Sequence, residues 1–286
     1  MLPLSLLPAY ALGLGALLAR RRALAVVSGG LVLAHLLVVA PALGATQVAA
    51  GAREAPRLRV VVANLYLLNP DPAEAGRALV ALRPDVLVVP ELDARGLAGL
   101  RAAGLTDELP HAVTASPDRA ETVGLFSRLP LRDVTTRKVG SRALPRATVD
   151  VDGTAVRLLA VHPLPPVSIF EALWRSALED LAEESAALEL PAVVAGDFNA
   201  DRDHGLFRAL LGSDGLRDAH DERGRGLART FPAGAPFLHL DHVLVRDGQG
   251  LDGRRSDVEV LDVREFTIPG SDHKGVVTDL AVVPRG

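Results

Sequence analysis

No cysteine occurs in the 286 residues, which excludes disulfide frameworks, thiolate metal sites and Cys nucleophiles. A Cys-free chain fits any compartment, so this absence does not locate the protein. Aromatics are scarce at 3%, and the 49% apolar content is therefore mostly Ala, Leu and Val. Basic residues are not in excess. The net charge of −4 leaves no electrostatic footprint for sequence-specific DNA binding. Charged residues at 23% exclude a mostly disordered or mostly membrane-embedded chain. The length suits one large domain, or one domain with an appendage.

Charge is missing most sharply from the N-terminus, where Arg20, Arg21 and Arg22 are the sole charges before Arg53. The 28 basic and 35 acidic residues from Arg53 onward leave that part at −7. Ala23–Ala40 is an uncharged apolar run of about 18 residues, long enough to span a bilayer as a helix. Leu2–Ala19 is similar but carries Pro3 and Pro8, which membrane helices tolerate near their starts. The pattern predicts a transmembrane hairpin over residues 1–42, turning at a cytosolic triple Arg by the positive-inside rule. A linker over 43–56 and an exported domain over 57–286 follow. A signal peptide with Arg20–Arg22 as its charged region is the alternative, and it exports the same domain. A third reading makes Leu2–Ala19 a buried core helix. His35, inside the second run, is assigned to helix–helix packing.

Downstream, apolar runs read as buried strands: Leu58–Asn64, Val86–Val89, Val123–Phe126, Ala147–Val151, Val156–Val161, Ala192–Ala195, Leu240–Val245, Val258–Val263 and Val276–Val283. Asp71, Pro72 and Glu74 suit N-cap, N1 and N3 of a helix. Ile169–Leu188 is the longest helical pattern, and Gly205–Leu211 is a short one. Helices fall between some strands and not others, which argues for an α/β sandwich of mixed sheets.

Polar residues stop these runs. Asn64, Glu91, His162, Asp197, Asn199, Asp241, Asp272 and His273 each lie at or beside a strand end, where rigid scaffolds carry their sites. Carboxylates with Asn and His suit a hard oxygen-ligated cation such as Mg²⁺. No H-E-x-x-H spacing is present to support a zinc protease. Singly, most of these residues also read as turn or loop residues. Asp241 is the exception, because a charge inside an apolar strand is costly unless paired. His111, His204, His220 and His239 read as surface or loop residues. His242 falls on the strand face opposite Asp241 and reads as structural.

The ordered set resembles the endonuclease/exonuclease/phosphatase superfamily. The motifs are Ala63-Asn64, Pro90-Glu91-Leu92, His162-Pro163, Gly196-Asp197-Phe198-Asn199, Leu240-Asp241-His242-Val243 and Ser271-Asp272-His273. They span about Arg57 to the C-terminus. Gly124–Pro130 and Thr230-Phe231-Pro232 are also similar to the family.

The resemblance implies a four-layer α/β sandwich of two mixed β-sheets and hydrolysis of a phosphoric ester or anhydride. It implies Glu91 as principal Mg²⁺ ligand (Mn²⁺ as substitute), with Asn64 and Asp272 near the metal. Asp197 and Asn199 would orient water and contact phosphate. His273 would be the catalytic histidine, partnered by Asp241. His162 would sit on the phosphate, paired with Glu121. Fold does not choose the substrate. The N-terminal hairpin favours a lipid-linked phosphate at the cell membrane, with the active site outside. Membrane-bound phosphatases linked to teicoplanin-type resistance, which act on undecaprenyl pyrophosphate, are similar in layout. A tethered or secreted nuclease is the alternative, and a catalytically dead binding domain a weaker one.

Overall fold

Two helices open the chain in a computed structural model, which describes residues 7–115, 122–213, 215–251 and 253–285. Helix α1 (Leu7–Leu18) and α2 (Arg22–Leu43) fold back on each other through a turn where Arg20 takes φ 56°. Small residues let them approach: Ala9 and Ala16 are buried, and a Cβ on Gly13 would lie 3.2 Å from that of Ser28. His35 sits in this seam, with its Nδ1 3.0 Å from the Tyr10 hydroxyl and the two rings edge to face, as helix–helix packing requires.

The expected pair of membrane-crossing helices needs correction. Among the described residues no helix is long and apolar enough to cross a membrane. As described, α1 has 12 residues, about 18 Å at 1.5 Å per residue. A hydrocarbon core of about 30 Å needs more. The hairpin itself is nonetheless a distinct unit. The end of α2 is fastened to the rest of the molecule by backbone bonds from Thr46 N to Glu222 O and from Gly226 N to Ala42 O, each 2.9 Å.

The remainder folds into two mixed sheets. Strands β1 (Arg57–Val62), β2 (Val86–Leu92), β3 (His111–Thr114) and β4 (Thr122–Ser127) belong to the first. Strands β5 (Arg132–Val139), β6 (Arg142–Val151), β7 (Thr154–Val161), β8 (Ala192–Asp197), β9 (Arg217–Asp218) and β10 (Asp241–Arg246) form the second. The chain then returns to the first sheet with β11 (Gly248–Gln249), β12 (Arg255–Thr267) and β13 (Lys274–Pro284). Orders are β11-β12-β13-β1-β2-β4-β3 and β5-β6-β7-β8-β10-β9.

The strand directions repeat between the sheets. β1 runs parallel to β2 and antiparallel to β13, while β2 is antiparallel to β4. Likewise β7 runs parallel to β8, antiparallel to β6, and β8 is antiparallel to β10. Alternation assigns the faces. Leu58, Val60 and Val62 share one core with Leu158, Val194 and Val243 of the second sheet. Val61 and Ala63 turn the other way, onto Leu79 of helix α3 (Pro72–Ala81) and Leu100 of α4 (Ala94–Ala102). After the single turn α5 (Leu105–Glu108), the next long helix is α6 (Glu171–Ala186). It adds Trp174, Leu178 and Leu181 to the shared core, and α7 (Gly205–Ser213) adds Phe207 and Leu210.

The N-cap predicted for α3 forms, with the Asp71 side chain accepting from Glu74 N at 2.9 Å and Pro72 in the first turn, but the reciprocal half of a capping box does not, because Asp71 N donates to Asn69 Oδ1. A single-turn helix, α8 (Ala219–Glu222), follows β9. Its His220 is fully buried and His239 is 5% exposed, so both were misplaced by the surface reading. Each lies in a connecting segment whose own pattern does not reveal what covers it.

Candidate active site

The repeated strand directions bring the ends of β1, β2, β7 and β8 to one edge, together with the starts of β10 and β13. Every polar residue at those ends is therefore gathered there. Backbone irregularities aim some of them. Glu91 and Asn199 take φ 53° and 48°. At Gly196, φ is 149° and a Cβ would lie 1.9 Å from the Val161 carbonyl oxygen. Glycine is required where β8 closes on β7, and it sets Asp197 beside His162.

Asn64 stands at the centre and is fully buried. Its Nδ2 donates to Glu91 Oε1 and Asp197 Oδ2, both at 3.0 Å, while its Oδ1 accepts from Tyr66 N. The second oxygen of Glu91 accepts from Leu67 N at 3.2 Å. Asp197 Oδ1 accepts from Asn199 N at 2.8 Å, and Asn199 Nδ2 donates to Pro163 O. His162 and His273 flank Asp197, each with Nε2 3.8 Å from Oδ2. On its other side His273 Nδ1 meets Asp241 Oδ2 at 2.8 Å. Arg142 reaches His162 Nδ1 at 3.2 Å. Ser271 Oγ, donating to Asn64 O and accepting from His273 N, ties the last loop to β1.

Electrostatics follow from this crowding. Burial disfavours a charged ring at His273, but Asp241, Asp197 and Asp272 outweigh it and hold the ring up at about 10. Burial pushes the Asp197 carboxyl up and the nearby Asp241 adds to this, against the pull of His273 and His162. Burial also raises Asp272, with Glu91 and Asp197 contributing. Carboxylates forced together at a cleft are the setting in which a cation is held.

The donor set fits a divalent metal. Glu91, Asp197 and His273 each offer a ligand atom within 4.8 Å of the others. Asp272 Oδ1 is buried with no hydrogen-bond partner. Asn64, expected near the metal, presents its amide nitrogen to the carboxylates, so it holds Glu91 and Asp197 in place. Glu121 lies outside the described residues. All other expected site residues meet at this edge.

Glu91, His162, Asp197, Asn199, Asp272 and His273 line a cleft of about 770 Å³, with Asn64 and Asp241 buried behind them. Sequence reading missed much of its wall: Leu164, Pro165, Pro166 and Val167 after β7, and Leu238, which join Phe231 of the Thr230-Phe231-Pro232 motif. Prolines in series after a strand end were a usable signal, because they hold a loop extended where it leaves the sheet.

A family model described as the endonuclease/exonuclease/phosphatase family matches residues 61–273. No curated protein matches by sequence. Among solved structures, D. rerio TDP2 complexed with single-strand DNA product is similar at TM-score 0.66 and 16% identity, over 78% of this chain and 98% of that one. An endonuclease/exonuclease/phosphatase from Beutenbergia cavernae gives 0.61 and 21% over 80% and 72%. A family protein from Bacteroides thetaiotaomicron gives 0.58 and 16% over 80% and 98%. The fold, the gathered strand-end residues and the matched span agree, and the chain belongs to the endonuclease/exonuclease/phosphatase family as a metal-dependent phosphoester hydrolase.

Proposed function

We propose that the cleft hydrolyses a lipid-linked phosphate or pyrophosphate, such as undecaprenyl pyrophosphate, at the outer face of the cell membrane. The observation that carries this is the apolar wall beside the acidic floor. Leu164, Pro165, Pro166 and Val167 line the cleft together with Asp197 and His162, and Val167 is 52% exposed; Ile169 and Leu68, in the loops that continue from Val167 and Leu67, are 78% and 72% exposed. A nucleotide offers such a wall little, whereas an isoprenoid chain buries it. The hairpin supports the same reading. Leu14, Leu17, Leu18, Val26, Val27 and Leu37 are 61–77% exposed, an apolar surface suited to lipid.

Glu91 and Asp272 would hold Mg²⁺, with Mn²⁺ as substitute, and Asn64 beside them would keep Glu91 aligned. When bound, the cation would neutralise phosphate charge and stabilise the leaving oxygen. Asp197 and Asn199 orient the attacking water. His273, positioned by Asp241, moves the proton, and His162 binds a phosphate oxygen. Glu121 is the proposed partner of His162.

A second reading, a nuclease, is favoured by the fold's likeness to TDP2 bound to single-strand DNA and by Arg142 in the cleft. The charge of −7 from Arg53 onward counts against it, because backbone binding relies on neutralising phosphates.

The full chain, in vesicles, is assayed for Mg²⁺-dependent phosphate release from undecaprenyl pyrophosphate and for nicking of plasmid DNA. Phosphate release without nicking is expected. Nicking without lipid hydrolysis overturns the lipid reading, and a reporter fused after Gly286 that works in the cytosol alone overturns the outside placement.

A further inference from the structure

Behind the cleft, among residues given no role above, three histidines converge on one carboxylate. Asp218 ends β9, His220 follows on α8, and His239 and His242 lie just before and within β10. All four are 5% exposed or less. His242 Nδ1 faces Asp218 Oδ2 at 2.5 Å, and its Nε2 is fixed by the carbonyl oxygens of Ala200 and His239, each at 3.0 Å. His220 Nε2 is fixed by Glu265 Oε1 at 2.9 Å. Its Nδ1 lies 3.7 Å from Asp218 Oδ1 and is buried with no hydrogen-bond partner. His239 Nε2 is also buried with no partner. One ligand atom from each of Asp218, His239 and His242 lies within 4.8 Å of the other two.

Two features separate this cluster from an ordinary buried polar network. Such networks satisfy their members, and an unpaired buried nitrogen is costly. Here two imidazoles each leave one. Also, His220 and His242 have the far nitrogen held by an oxygen acceptor while the near nitrogen faces the shared carboxylate. Metal-ligating histidines are oriented in this way by their surroundings.

We propose that Asp218, His239 and His242, with His220 as fourth donor, form a structural transition-metal site that takes Zn²⁺. Three imidazoles and one carboxylate suit zinc, not magnesium, and a four-donor buried set leaves no open position for chemistry. The charges close: a dication is balanced by Asp218 and by Glu265 behind His220. Binding replaces the direct His242–Asp218 contact and gives both orphaned nitrogens a partner. Glu265 lies on β12 of the first sheet and Asp218 on β9 of the second, so the ion would fasten the two sheets together.

The test uses the full chain carrying Glu91→Gln and His273→Gln, which removes ligands from the cleft. After dialysis against a chelator it is titrated with Co²⁺. We expect one equivalent per chain with the intense visible absorption of four-coordinate cobalt, displaced by Zn²⁺ with a rise in Tm. Adding His239→Gln should abolish that absorption, and adding His204→Gln should leave it unchanged. Absence of the absorption in the parent, or its survival with His239→Gln, overturns the proposal. Should the His239→Gln chain not fold, His220→Asn replaces it, and an unaltered spectrum there has the same force. Because the cleft is disabled throughout, the outcome is independent of the substrate.

Discussion

At the scale of single residues, the site is a chain of positioning bonds around charges. Asp241 is fully buried, with one oxygen on His273 and the other without a partner. Asp241→Asn keeps the shape and removes the charge that orients the imidazole. We expect kcat to fall by about 10²–10⁴ with KM little changed, measured on a chromogenic aryl phosphodiester. A variant at full rate would remove Asp241 from the mechanism. Asn64 makes a different prediction. Its amide bridges Glu91 and Asp197, so Asn64→Ala should weaken Mg²⁺ activation by about 10–100-fold, read from the metal dependence of the rate. These residues were legible because each halts an apolar run. His220 and His239 were not, because burial in a connecting segment is decided by distant parts of the chain that cover it.

At the scale of elements, the strongest constraint is the meeting of β7 and β8. Gly196→Ala would drive a Cβ into the Val161 carbonyl at a φ that side chains rarely adopt. It should cost about 1–3 kcal/mol or more, followed by urea unfolding, and it should displace Asp197 and His162 together. An unchanged midpoint would mean the strands separate more easily than the packing implies. The start of α3 offers a milder case: Asp71→Ala removes one cap bond and should cost about 1 kcal/mol with activity retained. Both elements could be read in advance, from a strand ending in Gly-Asp and from the Asp-Pro-x-Glu signature. Strand β5 could not. It lies at a sheet edge with all but its last residue exposed, so it has no apolar alternation to read. Helix α4 follows Asp93, which caps it through Gly96 N, but its short apolar face was too weak a pattern to register.

At the scale of the whole molecule, an apolar hairpin is joined to an acidic domain with its own core. Removing residues 1–41 should change the domain's unfolding free energy by no more than about 1 kcal/mol, since the bonds that fasten this end of the chain to the domain begin at Ala42. The same deletion should release the protein from vesicles in a flotation assay. Persistent flotation would move the membrane contact to the cleft rim. The overall architecture was readable from the alternation of strand and helix, because buried strands are written as β-branched runs. What a hairpin embeds in is not written in the same way, since an uncharged helix suits lipid and a protein partner alike.

One strand pairing completes the site. β13, the last strand among the described residues, lies inside the first sheet, between β12 and β1, with Ala281 opposite Arg57. Until it arrives, β1 has a bare edge and His273, immediately upstream, has no fixed place. A chain in which β13 has not paired therefore cannot cut phosphate esters. Activity is tied to closure of the first sheet, so a fold lacking this one strand would carry every other strand-end residue and still have no working site.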